Sequence, residues 1–223
     1  MATKTSKREM GRIWFAKNPW PNGHAIAAAT WSGRLDPARG LVFDLDLESA
    51  SYYAEVDVES DDLDADSWDS PIVWGNYHSC SLSSTKWQHS GFVVGTPKKP
   101  LAWSKLSEHT FRVDRAKTEL PAGEALDRAF GIYLLGHDAV ADHRITFERA
   151  RGAWSIDWSA KVALAYVGRT ELEHRMRAEL RGLAFRGFEI PKGMSAKAAA
   201  EAFAPLVTDP KAWGIEKRRF VRA

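Results

Sequence analysis

Phe130 to Tyr166 reads FGIYLLGHDAVADHRITFERARGAWSIDWSAKVALAY, and the alternation inside this stretch decides the fold. Trp154, Ile156, Trp158, Ala160, Val162, Leu164 and Tyr166 fall on one side of an extended chain, against Ser155, Asp157, Ser159 and Lys161 on the other. A period of two with one apolar face is what an antiparallel strand lying on a core requires. Upstream, a bend at Ala139-Val140-Ala141 sets His137 opposite His143, Leu135 opposite Ile145 and Tyr133 opposite Phe147. A second turn at Ala150-Arg151 then sets Phe147 against Trp154, Ile145 against Ile156 and His143 against Trp158. Three strands agreeing in phase predict a meander. The first bend lacks the glycine that three-residue hairpin loops favour at their left-handed position.

C-terminal to this stretch, residues 170–181 satisfy two patterns. Thr170 with Glu173 forms a capping box ahead of the helical stripe Leu172, Met176, Leu180 and Leu183. Leu172, His174, Met176, Ala178 and Leu180 also alternate with charged residues, and the β surroundings favour a strand that places Asp157 near Arg181. Ser195 to Ala204 reads as a helix, with Ser195 as N-cap and Pro205 near its stop.

N-terminal to it, Ala27, Ala29, Trp31 and Leu35 alternate, as do Leu41, Phe43, Leu45 and Leu47 after the turn DPARG. Pairing Leu35 with Leu41 puts Trp31 opposite Leu45, so both strands turn one face to a core. Ile72 to Leu82 reads as a strand with Trp74, Asn76, His78 and Cys80 on one face. The fold expected is mostly β: an antiparallel sandwich or open barrel with meander hairpins and one or two short helices near the C-terminus. A disordered tail over 1–10, a β domain over 11–190 and a helical appendage over 191–223, packed on the same domain, complete the expectation.

Composition narrows the class. The 223 residues include ten Trp, ten Phe and five Tyr, an aromatic load suited to strands. Cys80 is the single cysteine, so no intrachain disulfide forms and a reducing, cytoplasmic setting is expected. No apolar run reaches the roughly 18 residues of a membrane span. Net charge is +2, but Glu55, Asp57, Glu59, Asp61, Asp62, Asp64, Asp66 and Asp69 form a run without Lys or Arg. This run reads as an exposed acidic loop able to face a protein partner. Its DxDxD fails the EF-hand template, with Ser67 in place of the glycine and Val73 in place of the bidentate glutamate.

Among candidate chemical groups, His137 and His143 come first, as cross-strand neighbours able to hold a divalent metal with His78 as third ligand. Either imidazole is alternatively a general base. Cys80 is a candidate nucleophile only with a histidine other than His78, because i and i+2 on a strand lie roughly 6–7 Å apart. Ser83-x-x-Lys86 lacks the companion elements of serine acylases. No GxGxxG, Walker A, HExxH or GxSxG occurs. No cofactor is indicated beyond that divalent metal. Basic residues near the termini are not interleaved with a reading module, which argues against nucleic acid. The expectation is a binding or protein-interaction protein, taking an unidentified protein or small molecule, with Trp74, Asn76 and His78 lining an aromatic pocket or the acidic loop as the surface. The alternative is a metal-assisted, hydrolase-like enzyme built on His78, His137 and His143.

Overall fold

Leu35 faces Leu41 and Trp31 faces Leu45 across the first hairpin, as the alternation requires. The turn between them is held by Asp36, whose Oδ1 accepts from the backbone N–H of Ala38 and Arg39 at 2.9 and 3.0 Å. The computed structural model describes residues 10–54, 68–116, 118–120, 128–150 and 152–222. Among these the strands are β1 (Gly11–Phe15), β2 (His24–Asp36), β3 (Gly40–Ser49), β4 (Ser81–Ser83), β5 (Phe92–Gly95), β6 (Thr110–Val113) and β7 (Gly131–Tyr133). They continue as β8 (Ala139–Ala150), β9 (Ala153–Ala163), β10 (His174–Leu183), β11 (Phe185–Glu189), β12 (Trp213–Glu216) and β13 (Arg219–Arg222). Two α-helices, α1 (Pro71–Tyr77) and α2 (Ala196–Phe203), and short 3-10 turns such as Trp103–Glu108 fill the connections.

The strands form an open half-barrel of two faces. One face runs β1, β10, β9, β8, β6, all antiparallel. The other is built on β2, which bonds β3 along its length and β11 in parallel from Trp31 to Arg34, and reaches β1 only through Ala25 and His24. The long β2 is therefore the corner where the two faces meet. Trp31 stands at the centre of the space between them, with no exposure. Its ring stacks on Trp103 at 5.5 Å and meets Phe43 and Phe185 from the second face, and Phe147 and Trp154 from the first. Each such ring buried contributes about 1.5–3 kcal/mol through removal from water, which is what holds the two faces together.

The β9 pattern is seen largely as expected: Trp154, Ile156, Trp158, Ala160 and Val162 are all buried. Residues 174–183 form a strand, because Met176, Ala178 and Leu180 pack inward while β9 and β1 pair with its two edges. Both registers sit two residues from the expected ones. Phe147 opposes Ile156, since the β8–β9 turn falls one residue later, with Gly152 in the left-handed region at φ 83°, and Asp157 opposes Glu179, a register set separately by the β9–β10 connection.

Other expectations are corrected. The bend at Ala139-Val140-Ala141 does not form, and His137 does not face His143. β8 runs straight through that segment, and β7 pairs with β4 instead. What looked like a turn is a β-bulge: between Ala141↔Lys161 and Arg144↔Ser159 β8 carries one extra residue, and Asp142 takes φ 54°. The bulge swaps the phase, so that Val140 is buried before it and His143, Ile145 and Phe147 after it. The strand expected over Ile72–Leu82 is mostly helix α1, started by the Ser70 N-cap and Pro71 in its first turn. Tyr166, placed inward by the alternation, is 61% exposed because β9 ends at Ala163 and a 3-10 turn follows. Trp68, which lies within the stretch expected to form the exposed acidic loop, is buried. The C-terminal segment adds the β12–β13 hairpin to α2, with Phe203 stacked on Phe220 at 3.9 Å. The tail over 1–9 and the acidic run over 55–66 lie outside the described residues.

Candidate functional site

The histidines singled out in the sequence end up in three environments. His78 is exposed at the C-terminal end of α1. His137 is exposed, its ring edge-on to Tyr133 at 5.2 Å and Trp87 at 5.5 Å. His143 is 1% exposed, between Phe130 and Trp158. Among the described residues no group of three or more His, Cys, Asp or Glu side chains is gathered to hold a metal ion. The trio of His78, His137 and His143 is therefore not assembled.

The expected aromatic pocket also takes another form. Trp74 is fully buried among Phe15, Trp20, Tyr52 and Trp68, and its indole N–H donates to the Trp68 carbonyl at 2.9 Å. Asn76 and His78 point to solvent. Helical spacing separates residues that a strand would have put on one face. Cys80 is completely buried, and desolvation pushes its thiol well above the usual range, so it stays protonated and unreactive. Ser83 is 1% exposed and donates to Asp46, which leaves it out of reach of any substrate.

A different constellation is open to solvent. β5, the 3-10 turn Trp103–Glu108 and β6 enclose a cleft of about 600 Å³. Its wall carries the apolar side chains of Val94, Leu101, Leu106 and Phe111. Lys99, Lys105, Arg112 and Arg115 surround it, with Glu108 as the single carboxylate of the lining. Local sequence explains the placement. In β6, Phe111 and Val113 alternate with Arg112, so the strand's apolar side turns toward Phe43 and Phe92 and the arginine turns out. In the 3-10 turn Trp103 and Leu106 are buried, leaving Lys105 at the surface.

None of the four cations forms a salt bridge among the described residues, whereas Arg34, Lys161, Arg177, Arg181 and Arg219 all do. Four like charges around one concavity raise the local potential and concentrate anions there. Neither family models, nor curated proteins, nor solved structures give a match to this chain.

What the cleft can do follows from its lining alone. It offers an apolar wall for a hydrocarbon or ring and a cationic rim for an acidic head group. The buried titratable groups, His143, Cys80 and Asp138, do not line it. The cleft cations escape a sequence reading because their spacing matches no binding motif and carries no metal-ligand or acid–base pattern. A signal was present: residues 98–115 hold Lys98, Lys99, Lys105, Arg112 and Arg115 against Glu108 and Asp114.

Proposed function

We propose that this protein is a non-catalytic binding protein for a small organic anion, an apolar body bearing a carboxylate, sulfate or phosphate, taken up in the cleft between β5, the 3-10 turn and β6. The observation that carries the reading is the set Lys99, Lys105, Arg112 and Arg115, without a salt bridge among the described residues, around an apolar-walled cavity. Holding such charges together without counter-ions costs stability through mutual repulsion, a cost relieved when an anion enters. A cavity of about 600 Å³ also falls in the size range of small-molecule sites, with a few polar groups set on an apolar surface.

The binding class read from the sequence is retained, and its place moves. Trp74 is sealed in the core, and Asn76 and His78 stand apart from it, so the cleft takes over the role given to that strand. The lone, buried Cys80 supports a reducing compartment as the setting.

Isothermal titration with laurate, and with dodecyltrimethylammonium as a cation of matched chain length, tests the proposal. Laurate binds and the cation does not. The double variant Lys105→Glu, Arg115→Glu loses laurate binding while keeping the near-UV circular dichroism of the parent. Equal binding of both probes, or no binding of laurate, refutes it.

A further inference from the structure

The register of the first face lines up a second set of cations on its outer side. Arg144 of β8 pairs with Ser159 of β9, Ser159 with Arg177 of β10, and Arg177 with Trp14 of β1. One step along, Ala141, Lys161 and Arg175 form the next row. Ser159 is short where its neighbours on both sides are long. The difference leaves a groove of about 760 Å³ across four strands, closed at the β1 end by Lys17 and Pro21.

Five cations border this groove, Lys17, Arg144, Lys161, Arg175 and Arg177, against one carboxylate, Asp142. Lys161 approaches Asp142 at 3.3 Å, and Arg177 is engaged by Asp157 and Glu179 at 2.7 Å each. Lys17, Arg144 and Arg175 form no salt bridge among the described residues. Two of the lining residues, Lys17 at φ 65° and Asp142 at φ 54°, hold left-handed backbone, a conformation that costs energy in any residue with a Cβ and that collects at functional sites.

We infer that this groove binds a compact polyphosphate. Three arginines and two lysines within one groove match a ligand of high charge density, and planar guanidinium groups meet phosphate oxygens through paired N–H donors. The indole of Trp14 is not free to stack a nucleobase: the Gly23 backbone lies against it, so that a Cβ there would come within 2.6 Å of the ring, and the Arg177 guanidinium lies over it at 6.0 Å. Single-stranded nucleic acid uses open aromatic platforms beside its basic track, which this groove lacks. The groove is distinct from the cleft at β6, and the two sites share no residue.

Titration calorimetry with sodium tripolyphosphate tests the assignment. Arg144→Ala with Arg175→Ala, both at exposed positions, weakens binding at least about tenfold, because each removes a charge-assisted contact. Lys105→Ala with Arg115→Ala, which alters only the other cleft, leaves tripolyphosphate affinity unchanged. Raising the salt from about 50 to 200 mM weakens binding to the parent protein, as screening requires. The assignment falls if tripolyphosphate does not bind, or if both double variants lose affinity equally. It also falls if oligo-dT or hexa-aspartate binds more tightly than tripolyphosphate and depends on Arg144 and Arg175.

Discussion

Trp158 donates its indole N–H to Nδ1 of His143 at 3.0 Å, and this bond fixes where the imidazole keeps its proton. An indole nitrogen only donates, so Nδ1 is an acceptor and the neutral ring carries its hydrogen on Nε2. That nitrogen faces Asp114 Oδ2 at 3.8 Å, beyond hydrogen-bonding reach, so the carboxylate does not hold a second proton on the ring.

Burial, reinforced by the positive charge of Arg128, brings the pKa of His143 down to about 3. In the unfolded chain it titrates near 6.5, so the folded state binds fewer protons between these values. The stability due to the neutral ring is fully present above about pH 6.5 and is lost as pH falls toward 3, at roughly 1.4 kcal/mol per pH unit. Burial raises the pKa values of Asp44, Asp114 and Asp138, which gives the opposite slope at the acid end. Urea midpoints measured from pH 7.5 to 5 check this. The parent loses stability relative to His143→Gln, whose amide oxygen can still accept from Trp158, and parallel curves would refute the assignment.

Gly11 begins β1 at φ 133°, and a Cβ there would lie 1.7 Å from the carbonyl oxygen of Glu179 on β10. Gly11→Ala combines backbone strain with a clash against paired backbone that cannot rotate away. A loss of about 3 kcal/mol or more is expected. Gly182, also left-handed at φ 71° but with nothing within 4 Å, is the control. Gly182→Ala costs about 1 kcal/mol, the price of the conformation alone. Thermal unfolding of the two variants measures the difference, and equal losses would show that the close approach contributes nothing.

Trp31 has its indole N–H buried without a hydrogen-bond partner among the described residues. Trp31→Ala opens a cavity among five aromatic rings and costs about 3–5 kcal/mol. Trp31→Phe keeps most of the packing and removes the unsatisfied donor, whose burial itself carries a penalty of about 1–3 kcal/mol. The phenylalanine variant is therefore expected within about 1.5 kcal/mol of the parent in urea unfolding, well above the alanine variant. Comparable losses in both would mean that the indole shape, rather than ring burial, sets the stability.

The parts of the fold legible in the sequence are those where side-chain alternation and hydrogen-bonded neighbours agree. The β2–β3 hairpin is seen with the expected partners, because the DPARG turn pins its register. In β8 the alternation was real but its phase change was ambiguous. A hairpin bend and a bulge both reverse which residues face inward, and only long-range pairing with β9 and β6 chooses the bulge at Asp142. At residues 70–77 the Ser-Pro start signal was present, and the alternation of Trp74, Asn76 and His78 outweighed it wrongly. The cleft was the least legible feature. Lys99, Lys105, Arg112 and Arg115 occupy one local stretch, but the apolar wall behind them comes from residues whose burial depends on the fold.

The cleft cations give a final test that separates a binding role from a structural one. Residues that hold a fold together lose stability when truncated, whereas unpaired like charges gathered around a concavity oppose folding slightly through repulsion. Lys105 and Arg115 are exposed and carry no salt bridge among the described residues, so no ion pair seen in the fold depends on their charge. Lys105→Gln with Arg115→Gln is expected to leave the melting temperature unchanged or to raise it by about 1–2 °C at low salt, for a gain of at most about 0.5 kcal/mol. The gain shrinks in about 0.5 M NaCl, where charges more than a few ångströms apart are screened. Laurate binding falls in the same variant. Differential scanning calorimetry at the two salt concentrations, set beside the laurate titration, reads both quantities. A melting temperature lowered by several degrees would make these residues structural and remove the argument that their unpaired charge is kept for a ligand.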